Sequence, residues 1–369
     1  MKENPFKYGK AVTGDDFIDR DEILNEITSD LISGQNLIIN SNRRLGKSSL
    51  ILEAFRKMEK TGVITVYIDM YSISSIKNLI ESVIHNTISE SYNQIEKIGK
   101  VASEFFKSLR PRFYLEEGQI GVEIYTEETG KNSLKESLNF PQRIAEKKDK
   151  QVIIAFDEFQ EIMNLDGNQL EKTMRSVFQL HDDVSYVFAG SKTHLLKDIF
   201  ENGNRPFYNF GKIKTLEKIP KKEFAKGIKR KFESTDRKIS QSVIKNILDI
   251  TEGNPYYTQQ LCHELWYLST DDHLNEKMVE KARKNILQYR SDFYEQEWSE
   301  IKSNIQRRLL IALADGVEDL YSEKTIKNYN LKTSSHVQKA YKALESKDIV
   351  KDKKIIDIFF KSWIEDNLV

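Results

Sequence analysis

Cysteine is almost missing from this chain. Of 369 residues only Cys262 is a cysteine, so no disulfide can close within it. Beside Leu261 in an apolar helical pattern, the thiol is expected to be buried rather than reactive. A reducing compartment, the cytoplasm, is the expected setting. Long apolar runs are missing too. No stretch of about eighteen such residues occurs, which excludes a membrane-spanning helix. The opening Met1-Lys2-Glu3-Asn4-Pro5-Phe6 lacks the apolar core of a secretion signal. Neither sign of charge dominates: 57 basic residues balance 57 acidic ones. That removes any global attraction to nucleic acid and leaves only a local basic face as a route to it. The six histidines show no metal-ligand spacing, and His263 is expected on a helix surface. No internal repeat or low-complexity tract is present. With 39% hydrophobic and 31% charged residues, the chain reads as a soluble globular protein. Its length predicts two or three domains.

What is present is concentrated in one stretch. Leu37-Ile38-Ile39 leads through Asn40-Ser41-Asn42-Arg43-Arg44-Leu45 into Gly46-Lys47-Ser48-Ser49-Leu50. An apolar strand, a small-residue turn, Gly-Lys-Ser and an apolar helix start together make a phosphate cradle. Loop N–H groups curl around an anion, a lysine adds a point charge, a hydroxyl reaches a magnesium ion, and a helix N-terminus lies beneath. The expected ligand is a nucleoside triphosphate with Mg2+. The phosphate-loop pattern begins with glycine, and Ser41 stands there instead, a residue that resists positive φ more than glycine does.

A second element supports the first. Val152-Ile153-Ile154-Ala155-Phe156 is a continuous apolar run ending in Asp157-Glu158, the pattern of a strand buried on both faces of a parallel sheet. Ligands bind at the carboxyl ends of such strands. Asp157 is expected to hold the magnesium, directly or through water, and Glu158 to polarise an attacking water. The bland alternative is a solvated acidic turn.

Along the chain, an acidic helix start at Asp21-Glu22 precedes strands at about 36–40 and at 63–69. Helical pattern follows at 75–108, then an apolar alternation from Arg112 to Tyr125 around a Glu-Gly turn, read as a surface hairpin insertion (about 110–126). A helix at 133–147, the acidic-ended strand, and strands at 184–189 and 213–216 complete an α/β pattern. It predicts a parallel sheet with crossover helices on both faces. Residues 220–290 read as all-helical with a break at Gly253-Asn254-Pro255. From about 300 come helices, a short one near 334–347 with Ser334 or Ser335 as cap, and a two-stranded wing candidate at 348–358.

Several motifs fall in the order found in a known group. Asn4-Pro5-Phe6, Phe17 to Glu22, the Asn42–Leu50 loop and Asp157-Glu158-Phe159-Gln160 come first, followed by Phe188-Ala189-Gly190-Ser191, Pro206-Phe207-Tyr208 and Thr251-Glu252-Gly253-Asn254-Pro255-Tyr256. The chain resembles the prokaryotic and archaeal ATPases of the AAA+/STAND group over nearly its whole length. The resemblance implies a P-loop NTPase (ASCE-type) nucleotide domain over 1–217, a helical lid over 218–292 and a C-terminal winged helix over 293–369. It implies that Ser191, at the polar end of the fourth strand, reads the γ-phosphate, and that Gly253 and Pro255 contact the base side of the nucleotide. Asp19-Arg20 stands where the family has Gly-Arg, which leaves adenine and guanine both open.

The expected site residues are therefore Ser41 to Ser49 with Pro255 for the nucleotide, Ser48 and Asp157 for magnesium, and Lys47, Glu158 and Ser191 for catalysis. Arg43 and Arg44 also read as solvated charge. Arg205 lies where ring-forming relatives place an arginine finger, and also reads as a solvated loop residue. The basic run from Lys218 to Lys231 reads as a solvated face or a nucleic-acid contact. Gln338, Lys339 and Lys342 would face outward from the short helix near 334, toward a DNA groove if DNA were bound. The predicted function is a slowly turning ATP-hydrolysing switch that moves lid and winged helix. Two alternatives stand beside it: a DNA-binding initiator like the archaeal origin-recognition proteins, and a scaffold that oligomerises with itself or a protein partner on nucleotide exchange.

Overall fold

The computed structural model describes residues 2–18, 20–92, 106, 111–116, 119–124, 131–269 and 273–369. The chain divides into two compact units, Lys10–Lys218 and a second formed by Ile219–Val369 with the first nine residues.

In the first unit the order is α1 (Asp21–Ile32), β1 (Leu37–Ser41), α2 (Lys47–Glu59), β2 (Ile64–Asp69), α3 (Ile76–Ser91), β3 (Pro111–Glu116), β4 (Gln119–Ile124), α4 (Lys131–Lys148), β5 (Val152–Asp157), α5 (Gly167–Phe178), β6 (Val184–Gly190), α6 (Thr193–Glu201) and β7 (Lys212–Leu216). Five strands form one parallel sheet in the order β2-β5-β6-β1-β7. The strand after the phosphate loop is thus not a neighbour of β1, because β5 and β6 lie between them. Parallel pairing puts the ends of β1, β5 and β6 on one edge, with Asn40 opposite Gly190 and Asp69 opposite Asp157.

Strand side chains alternate between faces, and two cores result. Ile154, Phe156, Tyr186 and Phe188 join apolar residues of α3, α4, α5 and α6, whereas Ile153, Ala155, Val187 and Ala189 join those of α1 and α2. This two-sided burial is why β5 reads as an unbroken apolar run. Phe156 stacks on Phe188 with ring centroids 5.8 Å apart, and Phe159 meets Phe207 edge-on at 5.5 Å. The expected hairpin is present as β3 and β4, paired antiparallel. Its turn residues Glu117-Gly118 and most of the helical pattern expected beyond Ser91 lie outside the described residues.

The second unit contains α7 (Lys221–Glu233), α8 (Gln241–Ile250), α9 (Pro255–Leu268), α10 (Glu276–Tyr289), α11 (Ser291–Glu300), α12 (Asn304–Ala314), α13 (Glu323–Asn328), α14 (Ser334–Glu345), the two-stranded wing β8 (Val350–Lys351) and β9 (Lys354–Ile355), and α15 (Ile358–Leu368). Helices of the stretch 221–289 pack against the C-terminal winged helix domain. Tyr257 of α9 meets Phe359 of α15 edge-on at 5.5 Å, and Arg283 of α10 pairs with Asp366 at 2.9 Å.

Several details go beyond or differ from the sequence expectation. The N-terminal segment packs in the second unit, with Phe6 buried against Phe232 at 4.5 Å and its carbonyl bonded to His263 Nδ1 at 2.7 Å. Lys231, read as part of a solvated basic face, is buried and donates to the Pro5 carbonyl at 2.6 Å. The expected break at Gly253-Asn254-Pro255 is present between α8 and α9, and Pro255 lies on its far side. It is the first residue of α9, behind an Asn254 cap that accepts from the Tyr256 N–H; a missing N–H costs nothing there. The cap of α14 is Thr333, which accepts from the His336 N–H, not Ser334 or Ser335. None of the described helices is long and apolar enough to cross a membrane.

Candidate active site

β1 is buried along its whole length and ends at Asn40-Ser41. Ser41 still belongs to the strand and has no positive φ. The left-handed stops of the loop are Arg44 at φ 65° and Gly46 at 83°, so serine in place of the first glycine meets no steric demand here. Leu45 anchors the loop by burying its side chain among residues of α1 and α2, while Asn42, Arg43 and Arg44 are exposed. Gly46 is the N-cap of α2, and the helix's first turn carries no acidic side chain. Its N–H groups and dipole therefore favour an anion.

Beneath the loop the predicted residues meet. Lys47, only 6% exposed, places Nζ 2.5 Å from Asp157 Oδ1 and 2.7 Å from Glu158 Oε1. Ser48 Oγ donates to Asp157 Oδ2 at 2.6 Å. Burial pushes the Asp157 carboxyl up, but the Lys47 charge and the hydrogen bonds from Lys47, Ser48 and Tyr67 outweigh it and hold the group below its ordinary range. Glu158 behaves alike: burial raises it, and Lys47, Gln160 and Ser191 bring it below the ordinary value. Both are carboxylates at neutral pH. A serine hydroxyl beside a carboxylate is a hard oxygen donor set of the kind magnesium takes. Among the described residues no cluster of three or more His, Cys, Asp or Glu offers a competing site.

Glu158 sits at φ 51° just past the end of β5. Its Oε2 accepts from Ser191 Oγ at 2.8 Å, from the Ser191 N–H at 3.2 Å and from Gln160 Nε2 at 2.6 Å. Ser191, expected to read the γ-phosphate, thus points its donors at Glu158.

Two contributors escaped the sequence reading. Tyr67 of β2 donates its hydroxyl to Asp157 Oδ2 at 2.6 Å. Burial, then the Asp157 charge, raises the phenol far above its ordinary value, so it remains a donor. Arg20, only 8% exposed and in the left-handed region at φ 89°, donates through Nη2 to the Leu45 carbonyl at 2.8 Å and the Glu217 carbonyl at 3.0 Å. It lashes the phosphate loop to the end of the unit, and burial lowers its pKa to about 10. An Asp-Arg pair just before an acidic helix start was the available signal for Arg20. For Tyr67 there was none.

Other predicted residues lie elsewhere. Ser49 accepts from the Val12 N–H at 3.1 Å, so its hydroxyl fixes the N-terminal stretch of this unit. Arg205 is a paired, largely buried residue rather than a free loop charge. Its guanidinium pairs with the fully buried Glu171 and lies 3.5 Å from Asp198. A role in a neighbouring subunit would require giving up that partner. Pro255 belongs to the second unit. So do Gln338, Lys339 and Lys342, which are exposed on α14 opposite the buried Val337, Ala340 and Leu344.

Comparison with known proteins bears on this geometry. A family model described as an ATPase domain predominantly from Archaea matches residues 17–261, and one described as a probable winged helix domain matches 292–366. No curated protein matches. Among solved structures, the Walker-type ATPase PABY2304 of Pyrococcus abyssi is 19% identical with a TM-score of 0.68, covering 98% of this chain and 99% of that one. The Aeropyrum pernix ORC2 protein in its ADPNP-ADP complexes is 12% identical with a TM-score of 0.58, covering 99% and 98%. The Aeropyrum pernix ORC1 protein in complex with DNA is 11% identical with a TM-score of 0.51, covering 96% and 94%. Identities this low show a shared fold, a P-loop NTPase sheet with a C-terminal winged helix. The ATPase model itself takes in the phosphate loop, the acidic strand end and more than half of the residues, and the chain therefore belongs to the ATPase domain family found predominantly in Archaea.

Proposed function

We propose that the protein is an ATP-hydrolysing switch of the AAA+/STAND kind. The observation that carries this reading is the convergence of Lys47, Ser48, Asp157 and Glu158 at the carboxyl edge of the sheet, where Lys47 contacts Asp157 and Glu158 and Ser48 contacts Asp157 at 2.5–2.7 Å. Lys47 would exchange its carboxylate partners for the β- and γ-phosphate oxygens, with the loop N–H groups from Asn42 to Ser48 around the same anion. Ser48 and Asp157 would hold Mg2+, which when bound neutralises charge on the phosphoryl oxygens. Glu158 orients a water and takes its proton as the water oxygen bonds to the γ-phosphorus and the bond to the ADP oxygen breaks. The products are ADP and phosphate. Ser191 would sense the γ-phosphate through Glu158. The ADPNP-ADP complexes of the ORC2 neighbour support a nucleotide as ligand. Helical lid and winged helix touch through Tyr257–Phe359 and Arg283–Asp366, which supports their moving as one body between ATP and ADP forms.

The test is calorimetry with Mg·ATP and turnover by wild type, Lys47→Ala and Glu158→Gln. Glu158→Gln is expected to keep nucleotide affinity and lose about 10²–10⁴-fold in turnover, and Lys47→Ala to lose affinity. Equal turnover by all three overturns the reading. A second reading, duplex DNA held by the winged helix, rests on the exposed Gln338, Lys339 and Lys342 and on the DNA complex of the ORC1 neighbour. Affinity for duplex DNA that falls with salt supports it, and no binding even at low salt removes it.

A further inference from the structure

Gln160 is buried to 3% exposure just past the acidic pair, in the 3-10 turn Phe159–Asn164. Its Nε2 donates to Glu158 Oε2 at 2.6 Å. The orientation of the amide follows from its partner, since an ionised carboxylate only accepts. Turned this way, Gln160 leaves its own Oε1 buried with no partner among the described residues. A side chain kept for packing alone would be apolar, because a buried carbonyl oxygen without a donor is costly. A second element is shaped around the same amide. At Gly190, the last residue of β6, a Cβ would stand 2.1 Å from Gln160 Oε1 and 2.2 Å from Leu196 Cδ1. The strand therefore ends in glycine where the amide needs the room.

The two oxygens of Glu158 are treated unequally. Oε2 receives three donors, Gln160 Nε2, Ser191 Oγ and the Ser191 N–H, whereas Oε1 faces Lys47 Nζ at 2.7 Å. A phosphate that attracts Lys47 draws the ammonium off Oε1 and leaves Oε2 as firmly held as before. We propose that Gln160 is a positioning residue for hydrolysis, pinning Oε2 of Glu158 with Ser191 so that Oε1 is the oxygen that takes the proton of the attacking water once Lys47 turns to the nucleotide. The inference rests on the hydrolytic reading above. The proton passes from water to Oε1 as the new P–O bond forms, and from there to the released phosphate. Lys47 thereby keeps the base covered until a triphosphate tail engages it.

Single-turnover hydrolysis and the Kd for a fluorescent Mg·ATP analogue are measured for Gln160→Met in the full chain, in wild-type and Glu158→Gln backgrounds. In the wild-type background the rate is expected to fall about 10- to 100-fold, the effect of losing a hydrogen bond to a charged group, with Kd within about twofold. In the Glu158→Gln background the same substitution should cost nothing further. Ser191→Ala, at a partly buried position and with the backbone donor retained, should lose less, about 3- to 10-fold. Full turnover in Gln160→Met overturns the proposal. So does an equal loss in both backgrounds, or a loss of affinity that parallels the rate, because either marks a packing role. Failure of the hydrolytic reading is separately visible, as Mg·ATP that does not bind to wild type or Glu158→Gln that turns over normally.

Discussion

Replacing Lys47 should destabilise the folded protein, quite apart from what it does to nucleotide. The ammonium lies 2.5 Å from an Asp157 that is 2% exposed and 2.7 Å from Glu158. At an effective dielectric of 20, charges 2.5 Å apart attract by about 7 kcal/mol, opposed by the cost of taking both out of water. Removing one partner of such a pair leaves an uncompensated charge and typically costs about 3–5 kcal/mol. Lys47→Met keeps the packing and isolates the charge. In wild type both folded carboxyls lie below their ordinary values. Their stabilisation is present above the unfolded values near 4 and is lost as pH falls through the lower, folded ones. In the variant only burial and the remaining hydrogen bonds act. The carboxyls rise, the native state takes up protons sooner, and acid relieves the penalty. The expected gap between wild type and Lys47→Met is about 3 kcal/mol at pH 7, shrinking by more than half toward pH 4. Amide hydrogen exchange of α2 and β5 under native conditions reads it in the right unit. A variant as stable as wild type at pH 7, or a gap that acid does not close, refutes the reasoning.

Arg20→Gln should loosen the loop from its tether at the Leu45 and Glu217 carbonyls, weakening nucleotide affinity by about tenfold for one to two lost hydrogen bonds; titration with a fluorescent nucleotide measures it. Phe6→Ala empties a site 1% exposed against Phe232 and should cost about 3–4 kcal/mol. The three tryptophans, Trp266, Trp298 and Trp363, all lie in the second unit, so the tryptophan-fluorescence transition in urea is where the loss should appear.

Much of the site was legible because its signals are local. A phosphate loop is one continuous stretch, from β1 through Gly46 into α2, and its anion-binding geometry is written in residues that are neighbours in sequence. The same holds for β5: burial on both faces forces an unbroken apolar run, and the carboxylates that end it must lie at the sheet's carboxyl edge. Helix ends were less legible. Any of Thr333, Ser334 and Ser335 can cap α14, and only the turn's geometry selects Thr333. The break at Gly253-Asn254-Pro255 was legible, but which helix Pro255 belongs to is decided only once the cap at Asn254 is placed.

Partners far apart in sequence were not legible at all. Arg205 carries no mark that its counterion is Glu171, and Lys231 looks like one more lysine in a basic run until the Pro5 carbonyl is found 2.6 Å away. Tyr67 reads as an ordinary strand aromatic, yet its hydroxyl lands on Asp157, 90 residues on. From the order of residues alone came the parallel sheet, the phosphate-loop pattern and the chemical kind of each group at the candidate site, because periodicity and loop chemistry act over a few residues. Which oxygen of Glu158 is held, what tethers the loop, and where the N-terminal segment packs were decided by the folded chain, because hydrogen bonds and burial depend on distances that sequence separation does not encode.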